Sequence, residues 1–106
     1  MIASLSGILS YKSPAWVIVD VHGVGYQVFL PLSTYYTLPD EGANVRLHIH
    51  THAREDALLL YGFSRPEEKE AFLLLQEVTG IGPKLALSIL SGAAVEDLVE
   101  AVRRED

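Results

Sequence analysis

Two short stretches of the sequence carry groups suited to hold or repel a charged partner. The first is Val78-Thr79-Gly80-Ile81-Gly82-Pro83-Lys84-Leu85-Ala86, where two glycines flank one aliphatic residue and a proline and a lysine follow at once. Gly80 and Gly82 are expected to supply positive φ and bare backbone, so that the chain turns sharply and another molecule can reach the main chain. Pro83 suits the first position of a helix, where its fixed φ fits and its missing N–H would have had no partner anyway. The turn then leaves free amides at a helix N-terminus with Lys84 beside them, a small anion site suited to a phosphate oxygen. The second stretch is Arg54-Glu55-Asp56, at the expected tip of a hairpin between two apolar runs. Charged turn residues are usually just solvated. Two acids on a face that meets a polyanion cannot raise affinity; they shape which geometry fits, by repulsion at close range. Adjacent residues on a hairpin rarely converge on one reacting atom, so a hydrolytic acid–base pair is not expected there.

A Gly-x-Gly alone is most often an ordinary helix connection that relieves strain. The longer pattern of aliphatic, x, Gly, aliphatic, Gly, x, x, x, Ala is tighter, because Ile81 would plug the core between two helices while Ala86 lets them approach. It resembles the helix-hairpin-helix motif of DNA-binding proteins, whose hairpin amides grip a backbone phosphate without reading bases. His48, His50 and His52 share one face of an expected strand. Three ligands in a row do not make a compact tetrahedral site, so no metal is expected and the face is read as solvated or as an interface. Trp16, Tyr26, Phe29, Tyr35, Tyr36 and Tyr61 could stack on bases, though most aromatics in a small barrel are core or interface. No nucleophile elbow, phosphate-loop lysine or dinucleotide fingerprint is present, and no catalytic residue or cofactor is expected.

The elements that must position these groups change character once along the chain. Residues 1–63 read as β: a first run from Ile2 to Tyr11 broken by Lys12-Ser13-Pro14, then Trp16–Val21, a turn marked by Gly23 and Gly25, and Tyr26–Leu30. Leu32–Leu38 reads as a helical or irregular bridge and Pro39-Asp40-Glu41-Gly42 as a turn. Val45, Leu47, Ile49 and Thr51 then alternate with Arg46, His48, His50 and His52, and Ala57–Phe63 would be the partner strand. Five short strands with a bridge before the fourth suggest a closed barrel of the OB kind. Residues 64–106 read as helices. Ser64-Arg65-Pro66-Glu67 looks like a capping box, with the serine accepting from the amide three positions on. Phe72, Leu75 and Val78 make a stripe, Leu85–Leu90 follows the glycine turn and ends at Ser91-Gly92, and Val95, Leu98, Val99 and Val102 mark a third helix with Arg103 and Arg104 at its negative end. The fold class is therefore α+β, a five-stranded barrel followed by a small helical domain.

The 106 residues are nearly half apolar, enough for a proper core, and contain no cysteine, which excludes a disulfide framework and thiolate metal sites. The absence of a basic leader or a long apolar run points to a soluble, cytoplasmic protein with no membrane partner. The net charge of −6 opposes wholesale phosphate coating: residues 1–62 hold three basic and five acidic groups, residues 63–106 five basic and nine acidic. A DNA partner would have to be held at a few points, by amides and isolated cations.

Taken together, Met1-Ile2-Ala3-Ser4-Leu5-Ser6-Gly7, Gly23-Val24-Gly25-Tyr26, Arg54–Phe63 and Gly80–Ala86 resemble the RuvA family of bacterial Holliday-junction-binding proteins over essentially the whole chain. The resemblance implies an OB barrel and helix-hairpin-helix units in a homotetramer, or an octamer of two, on which a four-way junction lies open and square-planar during recombination and repair. It makes Gly80, Gly82 and Lys84 the phosphate grip and Glu55 and Asp56 the acidic pin at the junction centre, with Arg54 and Thr79 as further DNA contacts. It implies a non-catalytic scaffold, with the RuvB ATPase as motor and the RuvC resolvase as partner. Members of the family continue into a second hairpin unit, a linker and a motor-binding domain, whereas this chain stops at Arg103-Arg104-Glu105-Asp106. A truncated fragment is therefore expected, without motor contact and with reduced junction affinity. Two rival readings stay open: an oligomerisation module without DNA binding of its own, and a helix-hairpin-helix glycosylase or nuclease fragment in which a lysine attacks sugar.

Overall fold

The computed structural model describes residues 1–92 and 95–104. Five strands come first: β1 (Ser4–Lys12), β2 (Trp16–Val21), β3 (Val24–Phe29), β4 (Asn44–Ala53) and β5 (Leu58–Phe63), with the short helix α1 (Leu32–Tyr35) between β3 and β4. Three helices follow: α2 (Pro66–Gln76), α3 (Pro83–Gly92) and α4 (Val95–Arg104). The fold is α+β as expected.

The strands close into a barrel in the order β1-β2-β3-β5-β4. Closure depends on β1, which pairs antiparallel with both β2 and β4 and carries a bulge between Leu9 and Tyr11. An extra residue there bends the strand, so one strand serves two neighbours at different angles. The seam is the parallel pair of β3 and β5, in register at Phe29 and Tyr61. Alternation decides what fills the interior: Leu47, Ile49 and Thr51 of β4 are buried while Arg46 is exposed and the three histidines are half-exposed. Val17, Val19, Val28 and Leu9, all fully buried, complete the same core. Gly62 sits where β5 crosses this core, and a Cβ there would come within 2.5 Å of Val28 Cγ1.

The β2–β3 turn differs slightly from the sequence reading. His22 (φ 51°) and Gly23 (φ 92°) form it, both left-handed as a two-residue hairpin requires, and Asp20 Oδ1 accepts from the Gly23 amide at 2.8 Å. Gly25 lies inside β3, paired with Asp20.

The helical half packs on the outside of the barrel through a second cluster, in which Tyr61 and Phe63 of β5 meet Phe72 and Leu75 of α2 and Ala86 and Leu90 of α3. Leu98 and Val99 of α4 pack against it; the side chains of Val95 and Val102, assigned above to the same stripe, lie outside those described, as do residues 93, 94, 105 and 106. Arg65–Glu96 (3.2 Å) and Arg103–Glu70 tie α4 to α2, and Arg104 pairs with Glu100. All of these pairs are exposed, so they orient more than they stabilise.

The capping box expected at Ser64 is not formed. Pro66 fixes the helix start one residue later, Arg65 becomes the cap position with no side-chain bond, and Ser64 Oγ instead donates to Glu68 Oε1 at 2.7 Å. No helix among the described residues is long and apolar enough to cross a membrane.

Candidate nucleic-acid interface

After α2 ends, the chain makes a turn in which the Ile81 amide donates to the Val78 carbonyl at 3.1 Å, with Gly80 third in the turn at φ +90°. A four-residue turn with positive φ at its third place is one that glycine alone enters without strain. Ile81 then tucks half-buried against the helical cluster and Ala86 is fully buried, as the pattern required. The ladder of α3 starts with the Ala86 amide on the Gly82 carbonyl at 3.0 Å.

Gly82 corrects one expectation, since its φ is not positive. A Cβ on it would meet nothing within 4 Å, so neither backbone strain nor internal packing asks for glycine there. Bare backbone at this position leaves the neighbouring amides open to close approach from solvent. Among the described residues, the amides of Gly80, Gly82, Lys84 and Leu85 have no hydrogen-bond partner within the protein. Thr79, Gly80, Gly82, Lys84 and Leu85 are exposed. Unpaired donors at a helix start, with the positive end of the helix behind them and an ammonium beside them, make an arrangement that favours an anion over a cation. The Leu85 amide was not singled out from the sequence, although the rule that a helix leaves its first amides free would have found it.

Arg54, Glu55, Asp56 and Ala57 form the tip of the β4–β5 hairpin, closed by the Arg54 amide on the Ala57 carbonyl at 2.8 Å, and all are exposed. The fold brings the base of this tip to the start of α3. Arg54 and Lys84, far apart in sequence, line one groove of about 280 Å³ together with Phe29, Leu59, Tyr61, Pro83 and Leu87. Periodicity gave no signal for this groove, because it arises from how the helical half docks on the barrel. Its apolar floor raises the Tyr61 hydroxyl above its usual pKa by burial, while the Arg54 charge pulls the other way. Among the described residues, no carboxylate lines it.

Two of the half-exposed strand histidines pack against the helical cluster. The His50 ring lies 5.9 Å from Phe72 and the His52 ring 6.4 Å from Tyr61, centroid to centroid. Burial first, then repulsion from His52 and Lys69, lowers the His50 pKa from its usual value, which disfavours its charged form. The aromatics are mostly structural too: Trp16 stacks on Tyr11 at 4.7 Å, Tyr26 and Tyr35 pack against the barrel core, and Phe29 lies 6.1 Å from Tyr61. Tyr36 is the exception, 76% exposed.

Fold and site together define an OB-type barrel carrying a helix-hairpin-helix element whose main-chain donors face outward. Residues 1–62 match the family model described as RuvA N terminal domain, and residues 72–105 match one described as SAM-like helix-hairpin-helix tandem. Among curated relatives, a protein of Geobacter sp. (strain M21) is 56% identical over 102 residues, covering 96% of this chain and 51% of the relative. Proteins of Syntrophobacter fumaroxidans and Trichlorobacter lovleyi are 51% and 57% identical over all 106 residues, covering 54% and 52% of their lengths. Each of these relatives is named as a Holliday junction branch migration complex subunit RuvA. The chain belongs to the RuvA family. It spans about half the length of the curated relatives it matches.

Proposed function

We propose that this chain binds four-way junction DNA by shape rather than sequence, as the non-catalytic scaffold of a branch-migration complex. The observation that carries the reading is the set of exposed, unpartnered amides at Gly80, Gly82, Lys84 and Leu85. Such a grip holds a phosphate without reading a base and needs no basic surface, which reconciles DNA binding with a net charge of −6. Lys84 adds a local cation, Arg54 lines the same groove, and exposed Thr79, the second residue of the turn, is a further contact. Glu55 and Asp56, projecting from the hairpin tip, would repel duplex arms at the crossover and favour separated strands.

In this reading residues 1–63 form the barrel unit with the pin and residues 64–106 the helical unit with the grip. Copies assemble as a homotetramer, so that four pins meet at the centre of an open, square-planar junction. The names of the relatives support a place in a branch-migration complex. The RuvB motor would spend the ATP and the RuvC resolvase would cut, and neither contact is assigned to a residue of this chain.

The test is a gel shift of an immobile four-way junction against linear duplex of equal length. The junction is expected to bind at least about tenfold more tightly, a difference of about 1.4 kcal/mol. Equal affinity would overturn shape recognition. Assembly without binding, seen by light scattering with and without junction, would favour an oligomerisation module.

A further inference from the structure

Glu68 is 4% exposed and is the only buried Asp, Glu, Lys, Arg or His among the described residues. Among the described residues no cation touches its carboxylate. Instead three hydroxyls from two other segments converge on it: Ser33 Oγ donates to Oε2 at 2.8 Å, Thr34 Oγ1 lies 3.3 Å from Oε2 and 3.4 Å from Oε1, and Ser64 Oγ donates to Oε1 at 2.7 Å. Ser33 and Thr34 belong to α1, the bridge of the barrel. Ser64 belongs to the link between β5 and α2, and Glu68 itself lies in the first turn of α2. The opposite side of α1 is held too, since the Leu32 amide donates to Ser91 Oγ of α3 at 2.9 Å.

A buried carboxylate without a cation is a poor way to gain stability, because desolvation offsets much of what the hydroxyls return. What it supplies is direction. The remaining contact between barrel and helices is largely apolar, through Tyr61, Phe63 and Phe72, and such contacts can slide with little loss. Three hydrogen bonds to one carboxylate hold a single arrangement.

We propose that Glu68 is a positioning residue, fixing the Gly80–Lys84 turn at one distance and angle from the Glu55–Asp56 tip. The helix carrying Glu68 leads straight into the glycine turn, and the strand before Ser64 leads straight back to the tip. A change in the docking of α2 on α1 therefore moves the two tips relative to each other. The consequence for DNA rests on the function proposed above: a loosened latch spares duplex binding, which needs the grip alone, and weakens junction binding, which needs grip and pin in register.

The chain has no cysteine, so a pair introduced at the exposed positions Ala57 and Ser88 takes spin labels cleanly. Pulsed electron–electron resonance on the free 106-residue chain is expected to give a narrow distance distribution, clearly broadened or displaced by Glu68→Ala. Glu68→Gln is expected to keep it narrow, since hydroxyls both donate and accept and can meet an amide. Should Glu68→Ala fail to fold by circular dichroism, Ser33→Ala with Ser64→Ala removes the donors and leaves the carboxylate in place. In the same variants the ratio of junction to duplex affinity should fall by about fivefold or more, with duplex affinity within about twofold of the parent. An unchanged distance distribution in a folded latch variant overturns the proposal. If the parent does not prefer junctions, the function proposed above fails, while the resonance measurement still decides the latch.

Discussion

The two exposed tips of this molecule offer a partner different parts of the polypeptide. At Arg54–Ala57 the backbone is closed on itself by the hairpin hydrogen bond, and what projects is side-chain charge. At Thr79–Leu85 the donors are main-chain amides, and the one charged side chain, Lys84, stands beside them. Charge on a side chain acts over about a Debye length of 8–10 Å and is screened by salt, whereas an amide acts only in contact and only where nothing blocks it. The first tip can repel at a distance and the second can hold at one point. An acidic chain that binds DNA needs that division, because long-range attraction is not available to it.

The largest effect expected from breaking this contrast is at Gly82. Its φ is ordinary and a Cβ there would point into open space, so Gly82→Val should lower stability by less than about 1 kcal/mol in thermal melts. It should weaken both duplex and junction binding by more than about tenfold, because the side chain occupies the approach to the amides. Gly80 makes the internal comparison, since its φ of +90° means that replacement costs stability as well as binding. A Gly82→Val chain that melts early and binds normally would assign that glycine to folding instead.

A smaller effect of opposite sign is expected at the other tip. Neutralising the acids with Glu55→Gln and Asp56→Asn should leave the melt unchanged and raise DNA affinity by about two- to fivefold at low salt, the gain shrinking as salt is added. Junction preference over duplex should narrow at the same time. Loss of binding in this neutral variant would contradict a repulsive role and make the tip an attachment point.

How much of this was legible beforehand follows from the range over which each feature is determined. The β4 alternation and the stripe from Phe72 to Leu75 are local patterns and were readable. The glycine turn was readable as a turn, but not that Gly80 carries the positive φ while Gly82 does not, because one motif can place its glycines for two reasons. Pro66 moved the start of α2 by one residue, which turned the expected capping serine into a partner of Glu68. The burial of Glu68 could not be read from its neighbours in Pro66-Glu67-Glu68-Lys69-Glu70, which look like an exposed helix start. Its hydroxyl partners come from α1, and the groove shared by Arg54 and Lys84 likewise depends on docking between halves. Such features depend on tertiary geometry, and a one-dimensional pattern carries little of it.

If the amides of the glycine turn hold a phosphate, hydrogen exchange will register it at those same amides. In the free protein, the amides of Gly80, Gly82, Lys84 and Leu85 should exchange at close to open-chain rates, since they lack internal partners among the described residues, while Ile81, bonded to Val78, exchanges more slowly. On saturation with four-way junction those four amides should gain protection before and beyond the amides of the barrel core. Full junction binding with unchanged exchange across residues 79–85 would mean that the DNA is held elsewhere on the protein.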